Sequence, residues 1–144
     1  MAERFILPGL GDIEAAPFWE AATASELCIQ TCAACGRRRM PPRPMCHHCR
    51  SLDVTWTPAS GRGTVWSWVI VHPPLLPAYA EHAPYNVIVV ALDDDPTIRL
   101  VGNLLAAVDA APNSIDPASI RIDEPVRVVF VRVEDVILPQ WVRA

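Results

Sequence analysis

Short runs of β-branched and aromatic residues, separated by turn-forming residues, fill the central and C-terminal parts of the chain. Runs of this kind predict β-strands rather than helices. The predicted strands are 64–71, 85–93, 97–106 and 126–133, with a last short strand at 136–138. Four or five strands with one irregular connection match a small, partly open barrel of the OB type, and a small sandwich is the competing architecture.

The N-terminal part of the chain carries the helical signal. Residues 17–27 begin with proline, which suits the first helical turn, and continue with good helix formers. Phe18, Trp19 and Ala22 would form its apolar stripe. Residues 1–14 show little periodicity and predict an extended arm whose order depends on a partner.

Two C-x-x-C pairs lie ten residues apart, at Cys32, Cys35, Cys46 and Cys49. Each pair supplies two thiolates from one tight turn, and four thiolates complete the tetrahedral cage that structural zinc prefers. Iron in the same cage and a redox-active dithiol are the alternatives. Flanking strands are predicted at 27–31 and 38–41, so the sequence predicts a structural zinc ribbon.

Basic residues are concentrated around these cysteines, although the net charge is −4. All 12 basic residues are arginine, whose planar fork suits phosphate and carboxylate groups. A site for phosphate or for an acidic partner and a merely solvated basic face are both compatible with this cluster. The arginines singled out are Arg37, Arg38, Arg39 and Arg43.

Three tryptophans lie near the start of the predicted barrel. Trp66 and Trp68 are two residues apart on one predicted strand, so they are expected to face the same side, with Trp56 shortly before them. Aromatic side chains on an OB surface can stack on bases or on an adenine ring. A packed wall between ribbon and barrel, or against a subunit, is the alternative.

No catalytic set can be assembled from the sequence. Cys28, His72 and His82 stand without suitably spaced partners, and His47 and His48 are not needed by a cage of four thiolates. We therefore expect no turnover by the chain alone. The absence of an 18-residue apolar run and of a signal-like N-terminus leads us to expect a cytoplasmic protein.

The order of these features resembles the OB-fold, acyl-CoA-associated zinc-ribbon family over residues 15–140. The resemblance rests on the Phe-Trp-Glu helix, the two cysteine pairs separated by prolines, and four later motifs. These are Ser60-Gly-Arg-Gly-Thr-Val, Ala83-Pro-Tyr, Leu100-Val-Gly-Asn and Pro125-Val-Arg-Val. The chain departs from the family at Asp123-Glu124, where a glycine-containing turn is usual.

The resemblance implies a mainly β fold with an N-terminal arm and helix at 1–26, a rubredoxin-like zinc ribbon at 27–58 and an OB-fold domain at 59–144. It also implies a non-catalytic accessory subunit of a thiolase-like enzyme, an aldolase or a hydratase that acts on coenzyme A thioesters. Steroid side-chain retro-aldol cleavage is one family setting, and polyketide or isoprenoid acyl chemistry is another. A single-stranded nucleic-acid-binding module is the alternative function, which the acidic net charge disfavours. A stand-alone hydrolase or lyase ranks lowest.

We expect the arm, the helix and the arginine-rich ribbon to form the partner interface, with the barrel as a supporting face. The helix is expected to expose Phe18 and Trp19, because exposed aromatic residues commonly anchor interfaces, and arginine forks bind carboxylates or phosphates in a bidentate manner. If instead the helix caps the barrel of its own chain, its aromatic residues are ordinary core residues. The residues expected to contact a partner or the phosphates of coenzyme A are Phe18, Trp19, Arg37, Arg38, Arg39 and Arg43.

Overall fold

The computed structural model describes residues 4–144, so the first three residues of the predicted arm lie outside the described part. The expected architecture, mainly β with one N-terminal helix before the cysteines, is confirmed. No helix of the described residues is long and apolar enough to cross a membrane. The elements are α1 (Ala16–Thr23), β1 (Cys28–Cys32), β2 (Arg38–Arg39), β3 (Val54–Pro58), β4 (Arg62–Val71), α2 (Pro77–Ala80), β5 (Tyr85–Leu92), β6 (Arg99–Gly102), β7 (Leu104–Leu105), a 3₁₀ turn (Pro117–Ser119), β8 (Pro125–Val133) and β9 (Val136–Arg143).

The ribbon is a three-stranded antiparallel sheet in the order β2-β1-β3. The sequence did not predict β3, whose five residues are exposed or half-buried and so carry little apolar signal. The side chain of Ile29 in β1 lies in the same apolar core as Val65 and Trp141 of the barrel. Ribbon and barrel therefore share one apolar core.

The barrel is a six-stranded sheet in the order β6-β5-β4-β8-β9-β7. Its two end strands, β6 and β7, are consecutive in the chain and separated only by Asn103. The sheet must therefore curl until its ends meet. The single strand predicted at 97–106 is split here, because β6 pairs with β5 while β7 pairs in parallel with β9.

A buried amide network holds this break in the strand. The Asn86 side chain donates to the Leu104 carbonyl at 2.9 Å and accepts from the Leu104 N–H at 2.7 Å. The Asn103 amide donates to the Asn86 carbonyl at 2.6 Å, and the Gln140 amide donates to Asn103 Oδ1 at 3.0 Å. Side chains thus supply the hydrogen bonds that a continuous ladder would have made.

The last strand extends to Arg143 instead of ending at residue 138. Pro139, the first residue beyond the predicted strand, lies opposite Phe130 of β8. On its other side β9 meets β7 only at Trp141 and Val142, so no neighbouring strand requires an N–H from Pro139.

Helix α1 covers the seam where β6 faces β9. Phe18 is only 9% exposed, belongs to the main core and meets Trp19 edge-on at 4.9 Å between ring centroids. The expectation that the helix exposes Phe18 is therefore wrong. The partly open barrel needs an apolar side chain over its seam, and Phe18 provides it, while Trp19 remains half-buried beside Gly102.

The helix is shorter than the sequence predicted and ends at Thr23. Ser25 takes a left-handed backbone conformation, with φ of 58°, which cannot continue a helix. The N–H of Glu26 bonds back to the Ala21 carbonyl at 2.9 Å, and so satisfies one of the last helical acceptors.

A β-bulge at Trp66 reverses the facing of the tryptophans in β4. Val65 pairs with Val90 and Ser67 with Val89, so Trp66 is the extra residue. Trp68 packs with Val65 against the core, whereas Trp66 is 49% exposed. The prediction that Trp66 and Trp68 share one face is therefore wrong, because the bulge breaks the alternation.

Candidate metal centre and the adjoining arginine groove

The two cysteine pairs fold into equivalent turns. The Cys32 carbonyl accepts from the Gly36 N–H at 2.9 Å, and the Cys46 carbonyl accepts from the Arg50 N–H at 3.0 Å. Both closing residues are left-handed, with φ of 75° at Gly36 and 66° at Arg50. Glycine takes this conformation without strain, whereas an arginine there bears a small cost that the turn must offset.

These turns bring four sulfur atoms together. All four Sγ atoms lie within 4.8 Å of one another, with Cys32 to Cys49 at 3.5 Å and Cys35 to Cys46 at 3.7 Å. A tetrahedral zinc with bonds of about 2.3 Å places its sulfurs roughly 3.8 Å apart. The donor set and its spacing therefore fit the zinc cage, and the four sulfurs are positioned to bind a metal ion.

Backbone N–H groups already favour thiolates at the buried cysteines. Those of Cys49 and His48 lower the pKa of Cys46 to about 6, and the N–H of Cys35 lowers the pKa of Cys32. The Ser51 backbone favours the thiolate of Cys49, but hydrogen bonds with neighbouring sulfurs outweigh it and raise the pKa of Cys49 to about 11. Four thiolates therefore need a cation to coexist, as a metal site does.

The remaining candidate ligands lie outside this group. His47 and His48 are exposed and are not among the four clustered side chains. Cys28 lies half-buried in β1, where desolvation and then the charge of Glu26 raise the pKa of its thiol. A raised pKa disfavours the reactive thiolate, which agrees with a packing role for Cys28.

Beside the metal centre lies a groove of about 980 Å³. Arg37 and Arg43 are exposed there and Arg38 is half-buried, while Asp95 and Thr97 of the loop before β6 form part of the lining. The structure thus brings all four predicted arginines to one concave surface, with Arg39 buried in its lining. Such a surface can receive an anion of the size of a phosphorylated nucleotide.

Arg39 has a different position from its neighbours. It is buried in β2, and its Nε and Nη2 atoms donate to the Arg43 carbonyl at 3.2 and 2.9 Å. The same loop is held by the Arg43 N–H, which donates to the buried Gln30 Oε1 at 2.7 Å. Arg39 thus fixes the loop that carries Arg43 from within the lining of the groove. The sequence carried no signal for Gln30, which is a single polar residue in an apolar strand.

Comparison with known families assigns both parts of the chain. Residues 19–55 match the family model described as the ChsH2 rubredoxin-like zinc ribbon domain, and residues 56–131 match the ChsH2 C-terminal OB-fold domain. The chain belongs to the ChsH2 family. The resemblance inferred from the sequence is confirmed, and the four clustered cysteines lie within the matched zinc ribbon.

Two curated relatives are subunits of acyl-CoA hydratases. One, from Thermomonospora curvata, is a probable enoyl-CoA hydratase alpha subunit, 44% identical over 69% of this chain and 29% of the relative. The other is the 3-oxo-4,17-pregnadiene-20-carboxyl-CoA hydratase alpha subunit of Mycobacterium tuberculosis, 34% identical over 86% of this chain and 36% of the relative. The chain thus spans about a third of the length of these relatives.

Two solved structures share the fold. A chain of the Ltp2-ChsH2(DUF35) aldolase superposes with a TM-score of 0.80 at 34% identity, covering 94% of this chain and 98% of that chain. A DUF35-family protein of unknown function from Sulfolobus solfataricus superposes with a TM-score of 0.60 at 10% identity, covering 92% of this chain and 87% of that chain. The second likeness concerns the fold alone.

Proposed function

We propose that this chain is a non-catalytic accessory subunit that binds and supports an aldolase or thiolase-like enzyme acting on acyl-CoA thioesters. The observation that carries the proposal is the likeness to a chain of the Ltp2-ChsH2(DUF35) aldolase, which spans nearly the whole of both chains. The name of the Mycobacterium tuberculosis relative adds a steroid-derived acyl-CoA as the kind of substrate. Steroid side-chain retro-aldol cleavage is therefore the setting we favour.

The four clustered cysteines are proposed to hold one zinc ion per chain. When bound, the ion would complete a four-coordinate cage and act as a structural crosslink, with no open coordination position for substrate. The cage joins the turn after β1 to the turn before β3, which are otherwise connected by a proline-rich loop. Its role is to fix the ribbon and, with it, the walls of the arginine groove.

His72 and His82 lie away from the groove, and His47, which lines it, is an exposed residue of the second cysteine turn. His82 stacks on Phe5 at 5.8 Å between ring centroids and lies 3.6 Å from the Glu81 carboxylate. His72 is exposed in the loop after β4, and neither histidine lines the arginine groove. Chemistry at a coenzyme A thioester would then belong to the partner enzyme.

The groove supports a role in substrate binding. Arg37, Arg38 and Arg43 face a common space in which the phosphates of coenzyme A could accept bidentate hydrogen bonds. Gln30 and Arg39 hold the loop of Arg43 from beneath, so the groove is preorganised. We propose that coenzyme A phosphates bind here when the chain is assembled with its enzyme.

The test uses the purified chain and the Ltp2 aldolase of the solved complex. We expect light scattering to show a complex of the two, and we expect retro-aldol cleavage of a steroid side-chain acyl-CoA to be absent with this chain alone. Turnover by the pure chain, unchanged when the metal is removed, would contradict the non-catalytic role. Absence of any complex would contradict the accessory role.

Substitutions in the groove test the phosphate contact separately. Arg37→Gln combined with Arg43→Gln should raise the KM for acyl-CoA of the complex about tenfold or more, since two charge-assisted contacts are lost. Arg132→Gln is the matched control, because Arg132 is an exposed arginine of β8 that does not line the groove. Equal effects from both changes would show that only the general charge of the chain matters.

The nucleic-acid alternative loses part of its basis. Its stacking platform required Trp66 and Trp68 on one face, and Trp68 packs inward instead. Retention on single-stranded DNA at physiological salt would still support it.

A further inference from the structure

The outer face of strands β4, β5 and β6 is apolar and uncovered. Val69 and Val101 are 59% and 65% exposed, and Val87 and Val89 lie between them on β5. Their neighbours along each strand point inward, so these side chains share the outer surface. We call these four valines together with Trp66 the valine face.

The opposite outer face of the same barrel is also apolar, but a loop of the chain covers it. There Leu105, Val129 and Val142 are buried beneath the segment that follows β7, with Ala110 packed against them. The chain thus covers one apolar outer face with its own loop and leaves the other open. Contiguous exposed apolar surface on a soluble domain marks an interaction site.

The bulge in β4 adds an interface-type residue to the valine face. It turns Trp66 outward at the expense of a regular ladder, and the Arg99 guanidinium lies 3.8 Å from the centre of its ring. Bulges commonly re-aim a single side chain in this way. Tryptophan and arginine are the residue types most enriched among the energetic anchors of interfaces.

The charged residues within the strands of the valine face have one sign, although Asp93 directly follows β5 and donates its N–H to the Arg62 carbonyl at 3.0 Å. Strands β4, β5 and β6 contain no aspartate, glutamate or lysine, and their only charged residues are Arg62 and Arg99. Arg62 lies directly opposite Arg127 of β8, an unfavourable pairing of like charges. Among residues 4–144, Arg143 is the only arginine within ion-pair distance of a carboxylate, that of Glu124, so Arg62, Arg99 and Arg127 have no carboxylate partner among the described residues.

We propose that the valine face, with Arg99 over Trp66 and the Arg62–Arg127 pair at the start of β4, is the surface on which the enzyme subunit docks, through an apolar patch of that subunit edged by carboxylates. This inference rests on the proposed function, and it places the docking surface on the barrel instead of on the helix and ribbon, where the sequence led us to expect it. A two-fold pair of this chain would bring the same arginines together, and a head-to-tail contact would leave them facing a surface of the same chain in a ring or an open filament. A different chain with an apolar patch and acidic groups would both bury the valines and pair the arginines with carboxylates.

The test measures binding of the full chain to the Ltp2 aldolase by titration calorimetry. Val69→Glu with Val101→Glu should raise Kd at least tenfold, because two carboxylates would be buried against apolar surface. Arg99→Glu should weaken binding and reverse its salt dependence, whereas Arg99→Lys should have a smaller effect. Val108→Glu is the matched control, since Val108 is similarly exposed in the loop after β7.

Each outcome bears on the proposal. Val69→Thr with Val101→Thr keeps the β-branched shape, so this variant is expected to fold. A smaller but measurable loss of affinity in this variant would support docking even if the glutamate variant were to unfold. Folded face variants that bind within about twofold of the unaltered chain would overturn the inference and leave the accessory role standing. A dimer of the free chain that Val101→Thr dissociates would overturn it in favour of self-association. Failure of the unaltered chain to bind Ltp2 would contradict the proposed function and this inference with it.

Discussion

Replacing Phe18 by alanine tests whether the N-terminal helix belongs to the core or to an interface. Phe18 is nine-tenths buried over the seam between β6 and β9, and it packs in one core with Leu27, Ile29 and Trp141. Truncation to alanine removes about 130 Å² of buried apolar surface, or about 3 kcal/mol at 25 cal/mol per Å². The cavity left behind raises the expected loss to about 3–5 kcal/mol.

That loss is a large fraction of the stability of a domain of this size. We expect urea unfolding of the free, metal-loaded chain to show a lower midpoint with an unchanged slope. Ile13→Ala is the control, since Ile13 is 82% exposed just before the helix and should shift the free energy of unfolding by no more than about 0.5 kcal/mol. If Phe18→Ala cost less than about 1 kcal/mol in the free chain, the helix would not be a structural cap.

Three further predictions concern the metal, the strand break and the acidic loop. Cys46→Ser should abolish stoichiometric zinc binding, as measured by elemental analysis, and unfold the ribbon. Cys28→Ser, which lies outside the cluster, should retain one metal ion per chain. A full complement of zinc in Cys46→Ser would contradict the four-cysteine cage. Asn86→Leu should lower the free energy of unfolding by about 2–4 kcal/mol, because it leaves the N–H and C=O of Leu104 unpaired in the core, and a neutral result would refute the role of the network. The Ser60 side chain and backbone lower the pKa of Asp94 below its usual 3.8. The contact therefore stabilises the fold above that pH, and this stabilisation is lost as the pH falls through the lower pKa of the folded state. Ser60→Ala should raise the pKa of Asp94 in an NMR titration, and an unchanged pKa would refute the contact.

The metal centre could be predicted from the sequence because its geometry is local. Each C-x-x-C turn is closed by hydrogen bonds within five residues, from Cys32 to Gly36 and Arg37 and from Cys46 to Arg50 and Ser51. The spacing of the cysteines alone therefore fixes where two sulfurs lie. Only the meeting of the two turns depends on the rest of the fold, and a four-ligand ion favours that meeting.

The errors arise where the arrangement depends on distant parts of the chain. The bulge at Trp66 is defined by pairing with Val89 and Val90, and nothing in the residues around Trp66 marks it. The strand break at Asn103 depends on Asn86 and Gln140, each at least 17 residues away. The burial of Phe18 likewise depends on the seam between β6 and β9, which exists only once the barrel has closed. Periodicity describes one element at a time and cannot show which side of it will find a neighbour.

The turn before β8 shows that a departure in sequence need not change a backbone. Asp123 stands where a glycine-containing turn is usual in the family, and it takes the left-handed conformation, with φ of 62°, that glycine adopts freely. Its N–H donates to the Val65 carbonyl at 2.8 Å, and the N–H of Val65 donates to the Glu124 carbonyl at 3.1 Å. These paired bonds hold the turn against the inner strand of the barrel. Aspartate is among the few side chains that tolerate this region, so the geometry of the turn is kept at a small cost in strain.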